Sequence, residues 1–218
     1  MPFVAVRAPT CKMLDSDVKL TSDSRILDAI ANQRYAGILR YTPLPGNNPK
    51  DDIDPAELEA ILAHPAHFLS GFVQHPRNPG WRPAACNPET DALHSAQFAK
   101  AAGYPPGVHG WFDAEGMAAD VTEAEAALYY NRYCHVLIEE GFLAGGYCGF
   151  DDAMNAVDLY ELAECSAYWS DLAKRRVATR GTSIVQGATI KILGIPFDPD
   201  DVAPDLLGDT PYLAQAAP

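Results

Sequence analysis

Short apolar runs alternate with helically spaced apolar stripes along most of the chain. Cys11 to Leu14 is one run, closed by Asp15; Ile26, Leu27, Ile30 and Ala31 follow at helical spacing, and Ala36 to Leu39 is a second run that ends in Arg40-Tyr41. The order predicts strand, helix, strand. Asp54-Pro55-Ala56-Glu57 predicts a helix start, because Asp54 can accept from free amides, Pro55 needs no donor at the first position and Glu57 can close a capping box. Leu58, Ile61 and Leu62 supply that helix's buried stripe. Phe68 to Gln74 is a third run, and beyond a loop with Pro76, Pro79 and Pro83 a helix from about Thr90 turns Leu93, Ala96 and Ala99 inward.

Gly107 to Glu115 then predicts a strand, and Thr122-Glu123-Ala124-Glu125 a capping box that opens a helix stopping near Gly141. Leu143 to Cys148 is a further strand. Asp151 or Asp152 caps a helix through Val157, Leu159 and Tyr160, and Ala167 to Trp169 is extended again. Ser183 to Gln186 and Ile190 to Phe197 close the pattern around turns at Gly187 and Gly194. Repeated strand and helix with no hairpin signal until the end predicts an α/β fold with a parallel sheet. About eight strand candidates favour an irregular (β/α)8 TIM-type barrel over an open doubly wound sheet, whose first strand would lead into a Gly-rich phosphate loop; Leu14-Asp15-Ser16-Asp17 is not one. The reading is one domain over residues 1–218, with a 1–10 N-terminal arm and a 199–218 acidic C-terminal tail.

Composition narrows the function. The chain of 218 residues is 48% hydrophobic and 21% charged, the profile of a globular domain with a sizeable core. A formal net charge of −13 repels phosphate backbones and anionic membranes, so nucleic acid is not an expected partner. Five cysteines without CxxC spacing read as reduced thiols. Neither a secretory leader nor a run of membrane-spanning length is visible, so the expectation is synthesis in the cytoplasm and no membrane insertion.

The most informative segment is His109-Gly110-Trp111-Phe112-Asp113-Ala114-Glu115. On a strand, alternate residues share a face, so Asp113 and Glu115 project together with His109 and Trp111, while Val108, Phe112 and Ala114 take the other side. Close carboxyls disfavour joint ionisation, so one can keep a proton and act as general acid while the other stays charged, the equipment for glycoside hydrolysis. An isolated Asp-x-Glu is more often a solvated rim. Here Asp15 ends the first strand candidate and Asp198 the last, and barrel closure would bring both to the same rim. Two other signals are discounted. His64 and His67 are separated by the helix-breaking Pro65, and Asp198-Pro199-Asp200-Asp201 lacks the Gly and terminal Glu of a calcium loop and reads as solvated tail.

In this order the residues resemble the glycoside hydrolase family 25 lysozymes: Asp15 after the first strand, Asp113-x-Glu115 ending the fourth, Gly145-Gly146-Tyr147, Trp169, Gln186 and a final Asp198. The chain is also similar to related bacterial glycoside hydrolase-like domains, whose Arg-Tyr after strand two is matched by Arg40-Tyr41. Departures are Met13-Leu14-Asp15-Ser16 where Gly-x-Asp-x-Ser is usual, and Ile184-Val185-Gln186 where Trp-Gln is common. The resemblance implies a muramidase that cleaves the β-1,4 bond of peptidoglycan without metal or cofactor. Glu115 would be the acid, Asp113 would support the oxazolinium-like intermediate, and Asp15 and Asp198 would orient the site. Arg40, Tyr41, Trp111, Tyr147, Trp169 and Gln186 would hold the sugar, with the aromatic rings stacking on it. A phage-type release or delivery would carry such an enzyme to periplasm or wall. The rival readings are a catalytically silent glycan-binding or structural barrel, and a metal-dependent hydrolase using His75 and His109.

Overall fold

The computed structural model describes residues 2–20, 25–47, 50–148, 164–171 and 180–217. Eight strands close a barrel. They are β2 (Cys11–Ser16), β3 (Gly37–Thr42), β4 (Leu69–Gln74), β5 (His109–Asp113), β6 (Leu143–Cys148), β7 (Cys165–Ser170), β8 (Ile184–Gln186) and β10 (Ile195–Val202). From β2 to β8 each strand runs parallel to the next, and β4 pairs with β5. The last strand, β10, closes the ring antiparallel to both β2 and β8. The turn that reverses the chain is Leu193-Gly194, both with positive φ (51° and 85°), between β9 (Ile190–Ile192) and β10. Two left-handed residues are what a tight two-residue hairpin requires.

Helices α1 (Ile26–Asn32), α2 (Pro55–Leu62), α3 (Pro88–Ala102) and α4 (Glu123–Glu139) connect successive strands from β2 to β6. Their starts follow local chemistry. Asp54 accepts from the Glu57 amide (2.8 Å) ahead of Pro55, Asn87 from the Thr90 amide (3.0 Å) ahead of Pro88, and Thr122 with Glu125 forms a complete capping box. Glu57 does not close the box expected of it. Its side chain turns inward to Arg40 Nε (3.0 Å) and to the Leu20 amide (2.8 Å). In α3 the inward residues are Ala92, Ser95, Ala96, Ala99 and Ala102, whereas Leu93, expected inside, is 37% exposed. The helix expected over 152–160 lies outside the described residues.

Two apolar layers result from strand alternation. Val108, Phe112 and Ala114 pack outward with the helices in the larger cluster, and Trp111 packs inward with Met13, Leu39, Val73, Tyr147, Trp169 and Leu213. Two glycines make room for the Trp111 indole. A Cβ on Gly145 would sit 2.4 Å from its Nε1, and one on Gly71 2.9 Å from its ring. Trp111 and Trp169 then meet edge to face at 6.3 Å, filling the barrel.

Both chain ends depart from expectation. The arm at 1–10 contains β1 (Phe3–Arg7), and the stretch 199–218 is no solvated tail: it completes β10 and adds β11 (Tyr212–Ala216). These two strands pair antiparallel, and β11 meets β4 through Ala214 and Ser70, with Leu213 and Ala214 fully buried. The added ribbon covers the barrel at the end where the parallel strands begin. Among the described residues the opposite end is open and carries a cleft.

Candidate active site

That open end is the carboxyl end of the parallel strands, where barrel enzymes carry their chemistry. A cleft of about 310 Å³ lies there, and Asp15, Asp113, Glu115 and Asp198 all line it. Asp15 comes from the end of β2 and Asp113 from the last position of β5. Asp198 arrives from the opposite direction: β10 begins at this rim, so Asp198 lies inside the strand near its start, directly across from Asp15. Antiparallel partners share a face, so the two carboxyls point to the same side.

Glu115, two residues beyond β5, is fixed at three points. Its amide donates to Asp113 Oδ1 (2.9 Å), its carbonyl accepts from the Trp81 indole (2.8 Å), and its Oε1 lies 3.2 Å from the Tyr147 hydroxyl. The loop that follows is stitched to the one carrying Trp81 by Gly80 N–H to Gly116 O (2.7 Å) and Ala118 N–H to Trp81 O (2.9 Å). Gly116 turns there with φ of 76°. Tyr147 also lies 2.8 Å from Gln186 Oε1, and Gln186 Nε2 donates to Asp15 Oδ2 (2.8 Å). The Tyr41 hydroxyl donates to Asp15 Oδ1 (3.4 Å), while its ring stacks on His75 at 4.5 Å. His75 in turn is held by Asp52 (2.8 Å).

Beneath Asp15 lies a residue that the sequence reading assigned to a solvated tail. Asp200 is fully buried, paired in register with Met13 on one side and Gln186 on the other. Its carboxyl faces Asp15 and the Trp169 indole without a hydrogen bond of regular geometry to any described residue, and one oxygen of Asp198 likewise has none. Strand alternation from Asp198 was the available signal, masked by Pro199 and by the density of acids. Burial pushes the Asp15 carboxyl up to about 7; the Asp198 charge pushes the same way, and contacts from Gln186, Asp200 and Tyr41 oppose them. Asp200 is held well above the usual carboxylate range, first by burial and then by the Asp15 charge. Tyr147 is raised as well, by burial and by the charges of Glu115 and Asp113.

Three expected sugar contacts are not in the cleft. Arg40 is fully buried on the outer side of β3, bound by Glu57, the Asp51 carbonyl (2.7 Å) and the Ser16 carbonyl. It follows Leu39, which points inward, so alternation sends it outward. Trp111 and Trp169 are 0% and 1% exposed, inside the barrel below the cleft floor, and offer no face for a sugar to stack on. Tyr41, Tyr147 and Gln186 do line the cleft. The two histidines of the metal reading are separated by the strand length: His75 follows the end of β4 at the rim, whereas His109 begins β5 at the covered end. There His109 Nδ1 accepts from the Tyr212 amide (2.9 Å) and Nε2 pairs with Ser166 (2.9 Å), and burial holds its pKa down at about 4. Among the described residues, no group of three or more His, Cys, Asp or Glu is arranged to hold a metal ion.

The structure is thus a closed barrel with a group of acids at one rim. The family model of the Rv2525c-like, glycoside hydrolase-like domain matches residues 28–186, and the chain belongs to that family. No curated protein matches the sequence. Among solved structures, an uncharacterized B. stearothermophilus protein aligns at TM-score 0.64 and 14% identity, covering 88% of this chain and 95% of that one. The Clostridium perfringens spore cortex lytic enzyme SleM aligns at TM-score 0.62 and 13% identity over 90% of this chain and 68% of its own. A family 25 glycosyl hydrolase from Bacillus anthracis aligns at TM-score 0.53 and 10% identity, with 88% of each chain covered. At these identities the likeness is one of fold.

Proposed function

We propose that the protein hydrolyses a glycosidic bond of bacterial peptidoglycan, with Glu115 as the general acid and Asp113 as its charged partner. The observation that carries this reading is the convergence of Asp15, Asp113, Glu115 and Asp198 on one cleft, with Glu115 anchored through its amide, carbonyl and carboxyl. Such anchoring keeps a proton donor within reach of a leaving oxygen, which a solvated rim acid is not. Asp113, 4% exposed and already accepting from the Glu115 amide, is set to face positive charge that develops at the sugar ring or its acetamido group. The fold shared with SleM and with a family 25 glycosyl hydrolase supports a cell-wall glycan as the substrate class. The burial of Trp111 and Trp169 below the floor removes stacking platforms from this reading and from the silent glycan-binding one alike.

The test is incubation of the purified protein with peptidoglycan, borohydride reduction of the products and mass analysis of the reduced sugar. Reduced muramic acid is the expected product, and reduced glucosamine would move the cleavage to the other bond. Failure of folded protein to release any reducing end would refute the reading.

A further inference from the structure

Asp15, Gln186, Tyr147 and Glu115 form an unbroken chain of contacts across the cleft, of 2.8, 2.8 and 3.2 Å in turn. It has three contacts, yet its two neutral members supply only two protons. The Gln186 amide offers N–H at one end and a carbonyl at the other, and the Tyr147 hydroxyl has a single hydrogen. The third proton must come from a carboxyl at one end. With Asp15 ionised, Gln186 turns its N–H groups to Asp15 and its carbonyl to Tyr147, Tyr147 spends its proton on that carbonyl, and Glu115 must donate its own proton to Tyr147. With Asp15 protonated, the amide and hydroxyl reverse, and Tyr147 donates to an ionised Glu115.

We infer that Gln186 and Tyr147 are positioning residues that couple the two carboxyls, so that ionised Asp15 keeps the proton on Glu115, where glycoside cleavage needs it. The inference rests on the hydrolytic reading only in giving Glu115 the role of proton donor. The amide orientation is that of the first of the two states, since Gln186 Nε2 faces Asp15 and its Oε1 faces Tyr147. The Tyr41 hydroxyl, donating to Asp15, favours the same ionised form, and the facing Asp198 opposes it.

The groups around both ends define what else acts on them. Asp15 is faced by Asp198 and Asp200 from β10 and by Tyr41 from β3. Glu115 shares its side of the cleft with Asp113, Tyr147, His75 and Asp171. None of these stands between Gln186 and Tyr147. A substitution at Gln186, which does not touch Glu115, therefore reaches Glu115 through the tyrosine.

The sign of the effect separates coupling from a general change of polarity. In Gln186→Leu the Tyr147 hydrogen loses its carbonyl and is free to donate to Glu115, which favours the carboxylate and lowers its pKa. Replacing an amide by an apolar group without such coupling disfavours the carboxylate and raises it. The experiment is a carbon-13 NMR titration of glutamate carboxyls in the wild type and Gln186→Leu, with the Glu115 signal assigned by its loss in Glu115→Gln. The coupling predicts that Glu115 titrates about one pH unit lower in the variant, about a tenfold change in its protonation equilibrium. Gln186→Met, close in length to the native side chain, gives the same downward shift and serves where the leucine variant does not fold. An unmoved or upward-shifted Glu115 overturns the inference. Because the titration needs no substrate, a downward shift in a protein that releases no reducing ends refutes the hydrolytic reading and leaves the coupling standing. An active enzyme with an unmoved Glu115 refutes the coupling alone.

Discussion

Two of the groups of ionisable side chains in this barrel lie on opposite sides of its wall and are built on opposite terms. Outside β3, Arg40 and Glu57 are both fully buried and meet each other, and their remaining polar atoms are taken up by the Leu20 amide and the Ser16 and Asp51 carbonyls. Inside, Asp15 and Asp200 are buried beside the half-buried Asp198, with no cation among their partners in the described residues and no hydrogen bond of regular geometry there to one oxygen of Asp198 or to either oxygen of Asp200. The first arrangement satisfies every charge and ties β2, β3 and α2 together. The second destabilises the fold locally and raises Asp15, to about 7, and Asp200 above the usual carboxylate range, and perturbed acids of this kind are useful for proton transfer. Burial alone does not distinguish structural from chemical acids; the balance of partners does.

The comparison is tested most strongly on its chemical side. Asp113→Asn keeps the shape of the side chain and its bond from the Glu115 amide but removes its charge. It is expected to lower peptidoglycan hydrolysis by about 10³-fold while the thermal midpoint stays within a few degrees. On the structural side, Arg40→Met strands the buried Glu57 carboxylate and is expected to cost about 3–5 kcal/mol, lowering the midpoint by about 10 °C in a thermal melt. Equal stability of that variant and the wild type would remove the distinction drawn here.

A smaller effect follows from the raised acids. Asp15 titrates at about 7 in the folded chain, above its unfolded value near 4, so the folded state holds more protons between those values. The stability it contributes is complete below about pH 4 and is lost as pH rises through about 7. Urea denaturation at several pH values is expected to show this decline, and Asp200→Asn, which relieves the same cluster, to flatten it and to raise stability at pH 8 by about 1–3 kcal/mol. The smallest effect belongs to the covered end. His109 has a folded pKa near 4, below its unfolded value of 6.5, so its contribution is present above about pH 6.5 and is lost as pH falls toward 4. His109→Gln should therefore show a shallower loss of stability in acid than the wild type.

Much of the site was legible because strand alternation and strand ends are local properties. Asp15, Asp113, Glu115 and Asp198 could be placed on one rim from their positions at the ends of apolar runs, Tyr147 and Gln186 only from the family resemblance, and the helix starts at Asp54 and Thr122 from capping chemistry alone. What escaped depends on the neighbours of a residue rather than on its own segment. Alternation gives a face but not a depth, so Trp111 and Trp169 were assigned to a sugar when they fill the barrel below it. Glu57 fitted a capping box by spacing, yet the pull of a buried Arg40 guanidinium across the β3–α2 gap decides its rotamer. The acidic, proline-bearing stretch from Asp198 to Val202 has the composition of a loop, and only its pairing on both sides with β2 and β8 makes it a strand. The β1 and β11 ribbon was hidden for the same reason, since each of its strands is defined by the other end of the chain.

The central claim is that the acid group at the open rim performs hydrolysis and does not hold the barrel together. Its most direct test measures, on one preparation of Glu115→Gln beside the wild type, both the rate of reducing-end release from peptidoglycan and the thermal midpoint. The account predicts a rate at least about 10³-fold lower with a midpoint unchanged within a few degrees. A folded Glu115→Gln protein that releases reducing ends at the wild-type rate would contradict it.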